Sequence, residues 1–278
     1  MKKLDFCYIG VDKAGSTWLY EYLNSHSKVG LPISKETFFF TKFYARGESW
    51  LRDQFTKNDK SLIFGEVCHD YIFSENTLKR LYAHNKDIKI IFFLRDPKTK
   101  LISNYNYWKK VGLDTGPFKL TFNEALNTKS FINKAIYSKI VKNALNIFPS
   151  KNIFYALYDE LQEDPEELAK NISNFLGIEF NSGHDTKRVV LKSKASRFQG
   201  LTNLLRKFSW IMRSIGLSRF VQYIKNNKIL NYVLFKDISK DSKIIFPEIL
   251  KNKLLNDIVE LESILNVDLT KWKTRLKD

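Results

Sequence analysis

Apolar runs of strand length alternate with helix-patterned segments along the first 160 residues of this chain. Four runs have the length and composition of buried strands: Leu4–Gly10, Ser61–Cys68, Ile88–Leu94 and Asn152–Leu157. Apolar residues recur with helical spacing in the segments between them: Ser16–Ser25, Glu75–Asn85, Lys98–Lys110 and Ile132–Phe148. The third run is almost wholly apolar, which is typical of a parallel strand covered on both faces. The alternation predicts a three-layer α/β fold, in which helices flank a parallel sheet.

The remainder of the chain is predicted to be helical. Asp164 and Pro165 have the composition of a helix start, and we expect that helix to end at Gly177. The last helix is predicted at Asn252–Leu265. No repeat, low-complexity tract or linker interrupts the sequence, so we expect one domain over residues 1–278, with a helical, basic cap at about residues 198–250.

Composition places the chain among well-packed globular proteins, since 44% of its residues are hydrophobic and 14% are aromatic. Its two cysteines, Cys7 and Cys68, lie inside apolar strands, which favours free thiols and a reducing compartment. They and the four histidines follow no metal-ligand spacing, so no metal site is expected. The N-terminus lacks the apolar core of a signal peptide, and no apolar run reaches the roughly 18 residues of a membrane span. We therefore expect a cytoplasmic protein.

The net charge is +16, and residues 181–278 alone hold 20 lysines and arginines against 9 aspartates and glutamates. This excess favours anionic partners such as phosphorylated nucleotides, acidic glycans or lipid surfaces, although a lysine-rich solvated surface has the same composition. No nucleic-acid-binding motif occurs, and the aromatic residues lie in core-like runs, so nucleic acid is not an expected partner. The basic, amphipathic segment after Leu201 fits a lid over an acceptor site, a peripheral membrane contact or an ordinary docked helix.

The segment between the first strand and the first helix, Gly10–Thr17, carries the strongest functional signal. Backbone N–H groups and the helix dipole at such a junction form a cradle for anions. The spacing of Gly10 and Gly15 copies a P-loop, but Ser16 stands where a nucleoside triphosphatase needs its phosphate-binding lysine. The lysine of this loop is Lys13 instead. A plain glycine turn followed by a serine or threonine helix cap is the alternative interpretation.

The heptad Lys-Ala-Gly-Ser-Thr-Trp-Leu at residues 13–19 resembles the 5′-phosphosulfate loop of sulfotransferases that use 3′-phosphoadenosine-5′-phosphosulfate (PAPS). The resemblance implies that Lys13 contacts the bridging oxygen of the leaving group. It also implies that the 5′-phosphate is wrapped by the residues that follow: Ala14, Gly15, Ser16, Thr17 and Trp18.

A second segment, Phe93–Ser103, follows the third strand and opens a helix. In the sulfotransferase family, an arginine at the strand end and a serine eight residues later clamp the 3′-phosphate of PAPS. Arg95 and Ser103 match that spacing. A guanidinium group suits a bidentate grip on phosphate, so the resemblance agrees with the chemistry of the residues.

The resemblance extends along most of the chain and indicates the bacterial and heparan-sulfate-type branch of the family. Tyr158–Leu161 looks like the turn after the nucleotide site, and residues 258–272 look like the closing helix of that branch. Residues 192–197 resemble a basic loop that closes over the 3′-phosphate and the adenosine. That likeness implies two further PAPS contacts, from Lys194 and Arg197.

Sulfuryl transfer needs a cation at the leaving group and a base that takes the proton of the acceptor. Lys13 is the predicted cation. Lys35–Phe40 resembles the Lys-Glu-x-His-Phe-Phe stretch of Golgi-type and bacterial enzymes, in which the glutamate is the proposed base, so Glu36 is the candidate here. Phe38 replaces the histidine of that stretch. An exposed Lys–Glu pair beside a buried aromatic run is the alternative interpretation.

Gly65–Tyr71 looks like the Gly-Glu-x-Ser-x-x-Tyr segment that lines the same cleft in these enzymes. Val67 occupies a position that is lysine in several heparan-type relatives, so no second cation is expected there. His69 is the alternative base, since other branches of the family use histidine, but a lone histidine beside a strand more often has a purely structural role. Glu66 is predicted either to orient Lys13 or to contact the acceptor.

These motifs predict a sulfotransferase that moves a sulfuryl group from PAPS, without a metal, onto a hydroxyl or amine and releases adenosine-3′,5′-bisphosphate. A glycan, a glycolipid and a small molecule are all open as acceptors. Two other functions stay as alternatives. One is a P-loop kinase, which requires Mg²⁺ and a loop lysine that is absent at position 16. The other is a non-catalytic module that binds an anionic polymer.

Overall fold

The computed structural model describes residues 3–55, 61–111, 122–126, 129–187, 194–196, 235–237 and 246–277, together with scattered residues between 201 and 224. The chain divides into two compact units. Met1–Arg95 and Lys139–Val190 form the first unit, and Asp96–Ser138 and Leu191–Asp278 form the second. The single domain inferred from the sequence stays a prediction.

The first unit contains a five-stranded parallel sheet. Its strands are β1 (Phe6–Gly10), β2 (Val29–Gly30), β3 (Ile63–Val67), β4 (Lys89–Leu94) and β5 (Ile153–Leu157). Their order is β2-β3-β1-β4-β5, and every neighbouring pair is parallel. The predicted parallel α/β sheet is confirmed, with its four long strands where the apolar runs placed them. β2 was not predicted, because a strand of two residues is too short to show a period.

Apolar side chains cover both faces of the central strands. Every residue of β1 is buried, and so are all residues of β4 except the first. Phe92 of β4 stacks on Tyr155 of β5 with a centroid separation of 5.7 Å, and Tyr8 of β1 meets Phe93 edge to face at 5.4 Å. This two-sided burial explains why β4 is almost wholly apolar. The parallel pairing of β1 with β4 sets their carboxyl ends side by side.

Among the residues described in the first unit, five α-helices lie wholly within it: α1 (Ser16–Asn24), α2 (Gly47–Asp53), α3 (Glu75–His84), α8 (Tyr158–Glu163) and α9 (Pro165–Leu176). The face that α1 buries is the predicted one, formed by Trp18, Leu19, Tyr22 and Leu23. For α9, the Asp164 carboxylate accepts the N–H of Glu167 at 3.0 Å, and Gly177 ends the helix with a φ of 76°. Both helix-end predictions are therefore confirmed.

The second unit contains α4 (Pro97–Val111), α5 (Phe122–Leu126), α6 (Lys129–Asn133), α10 (Glu248–Leu265) and α11 (Thr270–Lys277). It also holds a short antiparallel pair, β6 (Lys194–Ser196) and β7 (Phe235–Asp237). The Asp96 carboxylate accepts the N–H of Lys98 at 2.9 Å and so caps the start of α4. The C-terminal helix begins at Glu248 rather than Asn252, and α11 was not predicted. Most of the predicted cap lies outside the described residues.

The continuous helix predicted at Ile132–Phe148 is wrong. The structure has two helices there, α6 and α7 (Ser138–Ile147). The carboxylate of Asp257, in α10, accepts the N–H groups of Tyr137 at 2.6 Å and Ser138 at 3.0 Å, and the Ser138 hydroxyl at 2.6 Å. The backbone donors at the start of α7 are thus satisfied by a side chain about 120 residues away, which local periodicity does not reveal.

Both cysteines are buried free thiols, as their apolar surroundings predicted. Cys7 lies within β1, and Cys68 directly follows β3. Among the residues that the structure describes, no helix combines the length and the apolar composition that crossing a membrane requires.

Candidate active site

The junction of β1 and α1 is a loop with left-handed backbone at three positions. Gly10, Lys13 and Gly15 have φ angles of 148°, 63° and 102°. A Cβ atom at Gly15 would also lie 2.5 Å from Cδ2 of Leu161, so glycine is needed for space as well as for conformation. The N–H of Val11 donates to a β4 carbonyl at 2.9 Å. The first turn of α1 therefore opens at the carboxyl edge of the sheet, where its N–H groups suit an anion.

Arg95 directly follows β4 and meets this loop. Its Nη1 donates to the carbonyl oxygen of Lys13 at 2.8 Å. Its guanidinium carbon lies 4.4 Å from the ring centroid of Tyr158, the first residue of α8. This cation–π contact orients the guanidinium plane, and no residue pattern near Tyr158 indicated it. The predicted leaving-group lysine and the predicted 3′-phosphate arginine are therefore neighbours.

The side chains of the predicted cradle have two different environments. Ala14 and Trp18 are buried, and the Trp18 indole donates to the carbonyl of Thr186 at 2.8 Å. These two side chains pack in the core, so a contact between these residues and an anion would come from their backbone N–H groups. The hydroxyls of Ser16 and Thr17 both bond to one cationic partner, Lys35.

Lys35 is a site residue that the sequence reasoning missed. Its Nζ lies 2.9 Å from Oγ of Ser16, 3.1 Å from Oγ1 of Thr17 and 3.4 Å from Oε1 of Glu36. Only 20% of its side chain is exposed. The ammonium group thus connects the donor loop to the segment that carries Glu36. The motif at Lys35–Phe40 includes this lysine, but a motif does not reveal which distant hydroxyls its side chain reaches.

The remaining predicted PAPS contacts lie in the second unit or outside the described residues. Ser103 is half-buried in α4. Lys194 belongs to β6, where its backbone is opposite Asp237. Both residues lie in the second unit. Arg197 lies outside the described residues, and the roles predicted for these three stay predictions.

Glu36 and His69, the two alternative bases, form one pair. Oε1 of Glu36 lies 2.6 Å from Nδ1 of His69. Glu36 lies just before the π-helix Phe39–Phe43, and His69 follows the end of β3 by two residues, so the contact joins two separate segments of the chain. Their side chains are 21% and 27% exposed, which leaves both accessible to a small polar group. The two candidate bases therefore form a carboxylate–imidazole pair, and the role of each as a base stays a prediction.

The charged groups around His69 favour its protonated form. Burial by itself disfavours the imidazolium, but the charge and hydrogen bond of Glu36, with a smaller contribution from Asp12, raise the pKa of His69 above its ordinary value. Lys35 acts in the opposite direction. Because Glu36 and His69 share a short hydrogen bond, they accept and release protons as a unit.

Phe38 packs directly on this pair. It is buried, has a φ of 55°, and its ring meets the His69 ring nearly at right angles with a centroid separation of 6.1 Å. The position that carries histidine in the resembling motif thus supplies an apolar wall here, and the imidazole comes from position 69. Val67, at the position that is lysine in heparan-type relatives, is fully buried in β3.

Glu66 has neither of the two predicted roles. It is fully buried, and its Oε1 accepts the N–H of Thr37 at 2.8 Å and the Thr37 hydroxyl at 2.5 Å. The Tyr71 hydroxyl lies 3.1 Å from each carboxylate oxygen. Burial raises the pKa of Glu66 to about 7, against the opposing effect of these hydrogen bonds and with a small addition from Glu36. The prediction that Glu66 orients Lys13 or contacts the acceptor is wrong, because its buried carboxylate is hydrogen-bonded to Thr37 and Tyr71.

Comparison with known proteins identifies the family of this chain. The sulfotransferase domain matches residues 4–214. The chain belongs to the sulfotransferase family. Heparan sulfate glucosamine 3-O-sulfotransferase 3B1 of Mus musculus is 31% identical over 176 residues, which are 61% of this chain and 45% of that protein. The membrane-associated sulfotransferase kil1 of Dictyostelium discoideum is 34% identical over 106 residues, which are 37% of this chain and 22% of that protein.

A solved structure shows the same fold as this chain. The sulfotransferase from Alicyclobacillus acidocaldarius superposes with a TM-score of 0.67 at 19% identity and covers 98% of this chain and 100% of that one. The chain spans about half the length of the heparan sulfate relatives that it matches. The family inferred from residues 13–19 and Phe93–Ser103 is thus confirmed, and the donor that this family uses is PAPS.

Proposed function

We propose that this sulfotransferase moves a sulfuryl group from PAPS to a hydroxyl or amine of a glycan. The observation that carries the proposal is the position of the Glu36–His69 pair beside Lys35, whose Nζ bonds to Ser16 and Thr17 of the anion cradle. A proton acceptor and a cationic cradle for a phosphosulfate are the two parts that the reaction needs, and they adjoin each other here.

The donor side fits the 5′ end of PAPS by its chemistry. Ser16, Thr17 and the first N–H groups of α1 supply neutral donors, and Lys13 and Lys35 supply positive charge. Arg95, which donates to the Lys13 carbonyl, is the cation proposed for the 3′-phosphate. PAPS contributes the activated sulfuryl group. Charge builds up on the departing phosphate oxygen during transfer, so Lys13 is assigned to that oxygen and Lys35 to the adjoining 5′-phosphate. No metal is required in this scheme, because two lysines supply the counter-charge.

The acceptor side depends on the Glu36–His69 pair. The bond between sulfur and the acceptor oxygen forms as the bond between sulfur and the 5′-phosphate oxygen breaks. The acceptor proton passes to the pair, where Glu36 and His69 hold it between them, and the negative charge leaves with adenosine-3′,5′-bisphosphate. Only the neutral imidazole of His69 can accept the acceptor proton; its raised pKa makes that form a stronger base than an ordinary imidazole, and Glu36 stabilises the imidazolium that the transfer forms.

A glycan is the acceptor class with the most support. Relatives that match this chain bear names of heparan sulfate glucosamine 3-O-sulfotransferases. The net charge of +16 favours an acidic polymer over a neutral small molecule by long-range attraction. Glycolipid and small-molecule acceptors are outcomes of the acceptor screen described next.

The first experiment is calorimetric titration with adenosine-3′,5′-bisphosphate, with no metal added and ATP as the control. We expect micromolar or tighter binding of the bisphosphate and much weaker binding of ATP. A parallel titration of ATP is made with Mg²⁺ added. Tight binding of ATP there, and no binding of the bisphosphate, would return the chain to the kinase class. If neither nucleotide bound while heparan sulfate bound in a salt-dependent manner, the chain would be a polymer-binding module.

The second experiment measures transfer of labelled sulfate from PAPS to heparan sulfate, to glycolipids and to phenolic small molecules. The variants Glu36→Gln and His69→Asn test the base. We expect each to lower kcat by about a hundredfold, within the usual range for a general base, and the double variant to lose little more because the pair acts as a unit. Independent, additive losses would contradict the shared role.

A further inference from the structure

A closed hydrogen-bond network lies beneath the Glu36–His69 pair and is not used by the mechanism above. Glu66, Thr37 and Tyr71 form it, and all three are buried. The Thr37 hydroxyl donates to Glu66 and accepts the N–H of Phe39 at 3.1 Å. The Tyr71 hydroxyl donates to Glu66 and accepts the N–H of Phe40 at 3.3 Å. Each hydroxyl thus connects the carboxylate to a backbone amide of the π-helix Phe39–Phe43.

The directions of these hydrogen bonds follow from the carboxylate. A hydroxyl has one proton to donate. The hydroxyls of Thr37 and Tyr71 both donate to Glu66, and each hydroxyl oxygen accepts one backbone N–H. An ionised Glu66 accepts from the Thr37 N–H, the Thr37 hydroxyl and the Tyr71 hydroxyl. A protonated Glu66 would bring a second donor toward one of these hydroxyls and break at least one bond. The network is therefore complete only around the carboxylate.

The network joins the two chain segments that carry the pair. The N–H that Glu66 accepts from Thr37 belongs to the peptide group between Glu36 and Thr37. On the other side, His69 lies between Glu66 and Tyr71, which are both network members. The network thus fixes the backbone next to Glu36 and on both sides of His69, and so fixes the distance between the two side chains.

We propose that Glu66 is a positioning residue that holds Glu36 against His69 through Thr37 and Tyr71. The inference rests on the proposed function for its catalytic consequence, but the positioning itself is a property of the fold. It predicts that loosening the network separates Glu36 from His69, lowers the turnover number and leaves the nucleotide cradle intact. The charged and titratable groups that face Glu66 are Glu36, Tyr71, Cys7 and Cys68, and those that face His69 are Glu36, Asp12 and Lys35.

The test uses the full chain with Thr37→Val, which keeps the shape of the side chain and removes its hydroxyl, and Glu66→Gln. Thr37→Ser restores the hydroxyl and is the rescue variant. Thr77→Val is the matched control, since Thr77 is a buried threonine of α3 outside the network. Thermal melting establishes that each variant is folded at the assay temperature.

The first readout is independent of activity. NMR titration of the four histidines, with His69 assigned through His69→Asn, measures how strongly Glu36 holds the imidazolium. We expect the pKa of His69 to fall toward its ordinary value in Thr37→Val and Glu66→Gln and to stay unchanged in Thr37→Ser and Thr77→Val. Folded Thr37→Val and Glu66→Gln proteins with an unchanged His69 titration would overturn the proposal.

The second readout separates positioning from general damage. We expect kcat to fall by roughly tenfold to a hundredfold in Thr37→Val and Glu66→Gln, with the Kd for adenosine-3′,5′-bisphosphate within twofold of the wild type. A merely structural role would lower the melting temperature and leave kcat unchanged, which also overturns the proposal. If the wild type transferred no sulfuryl group while the His69 titration shifted as expected, the proposed function would fail and the positioning role of Glu66 would stand.

Discussion

Replacing Lys35 with methionine is the most direct test of the donor side. The substitution keeps an unbranched side chain of similar length and removes an ammonium group that bonds to Ser16 and Thr17 at 2.9 and 3.1 Å. A hydrogen bond to a charged group is worth about 1.5–3 kcal/mol, and a group that retains 20% exposure belongs in the lower part of that range. We therefore expect a loss of about 2 kcal/mol in binding a 5′-phosphate at the cradle, which is roughly a thirtyfold rise in Kd.

The assay is a comparison of two nucleotides by calorimetry. Adenosine-3′,5′-bisphosphate carries the 5′-phosphate and adenosine-3′-monophosphate does not, so Lys35→Met should weaken only the first. Lys42→Met is the control, because Lys42 lies over the Phe38 ring in the same segment and its loss changes the net charge equally. Equal weakening of both nucleotides, or an equal effect of Lys42→Met, would refute the assignment of Lys35 to the 5′-phosphate.

Three further predictions concern the donor loop, the end of β4 and the buried carboxylate. Lys13→Ala should lower kcat by more than tenfold, about 1.4 kcal/mol or more in barrier height, and steady-state kinetics showing a smaller loss would remove Lys13 from the leaving group. Arg95→Ala should mainly weaken binding of adenosine-3′,5′-bisphosphate, and Arg95→Lys should restore only part of it, because lysine has neither the planar fork nor the stacking on Tyr158; unchanged affinity in calorimetry contradicts this. The folded-state pKa of Glu66 is raised to about 7, so the native state binds the extra proton between about pH 4.5 and 7, and the unfolding free energy should fall by about 3 kcal/mol as pH rises through that window. Glu66→Gln should remove this contribution. The measurement is the unfolding free energy of both proteins at pH 5 and pH 8 from denaturant titrations, and an equal change with pH in the wild type and in Glu66→Gln would count against the prediction.

Local chemistry was enough to predict most of the fold. β4 was identified because a strand buried on both faces must be apolar throughout, and α9 because Asp164, Pro165 and Gly177 act on their own neighbouring backbone groups. The break before α7 was missed for the opposite reason. It depends on the Asp257 carboxylate of α10, and a helical period within residues 132–148 contains no information about that partner.

The candidate site shows the same division between features set by local sequence and features set by long-range contacts. The loop at Gly10–Thr17 was found from the sequence because a parallel strand followed by a helix presents the helix N-terminus at the carboxyl edge of the sheet, and Arg95 was found through the resemblance of Phe93–Ser103 to the sulfotransferase family. The contacts that make this edge reactive join residues far apart in the chain. Glu36 meets His69 across 33 positions, Lys35 meets Ser16 across 19, and Thr37 meets Glu66 across 29. Such pairs form only when distant segments of the chain pack together, so the Glu36–His69 contact, the position of Lys35 and the hydrogen bonds of the buried Glu66 carboxylate are visible in the tertiary structure alone.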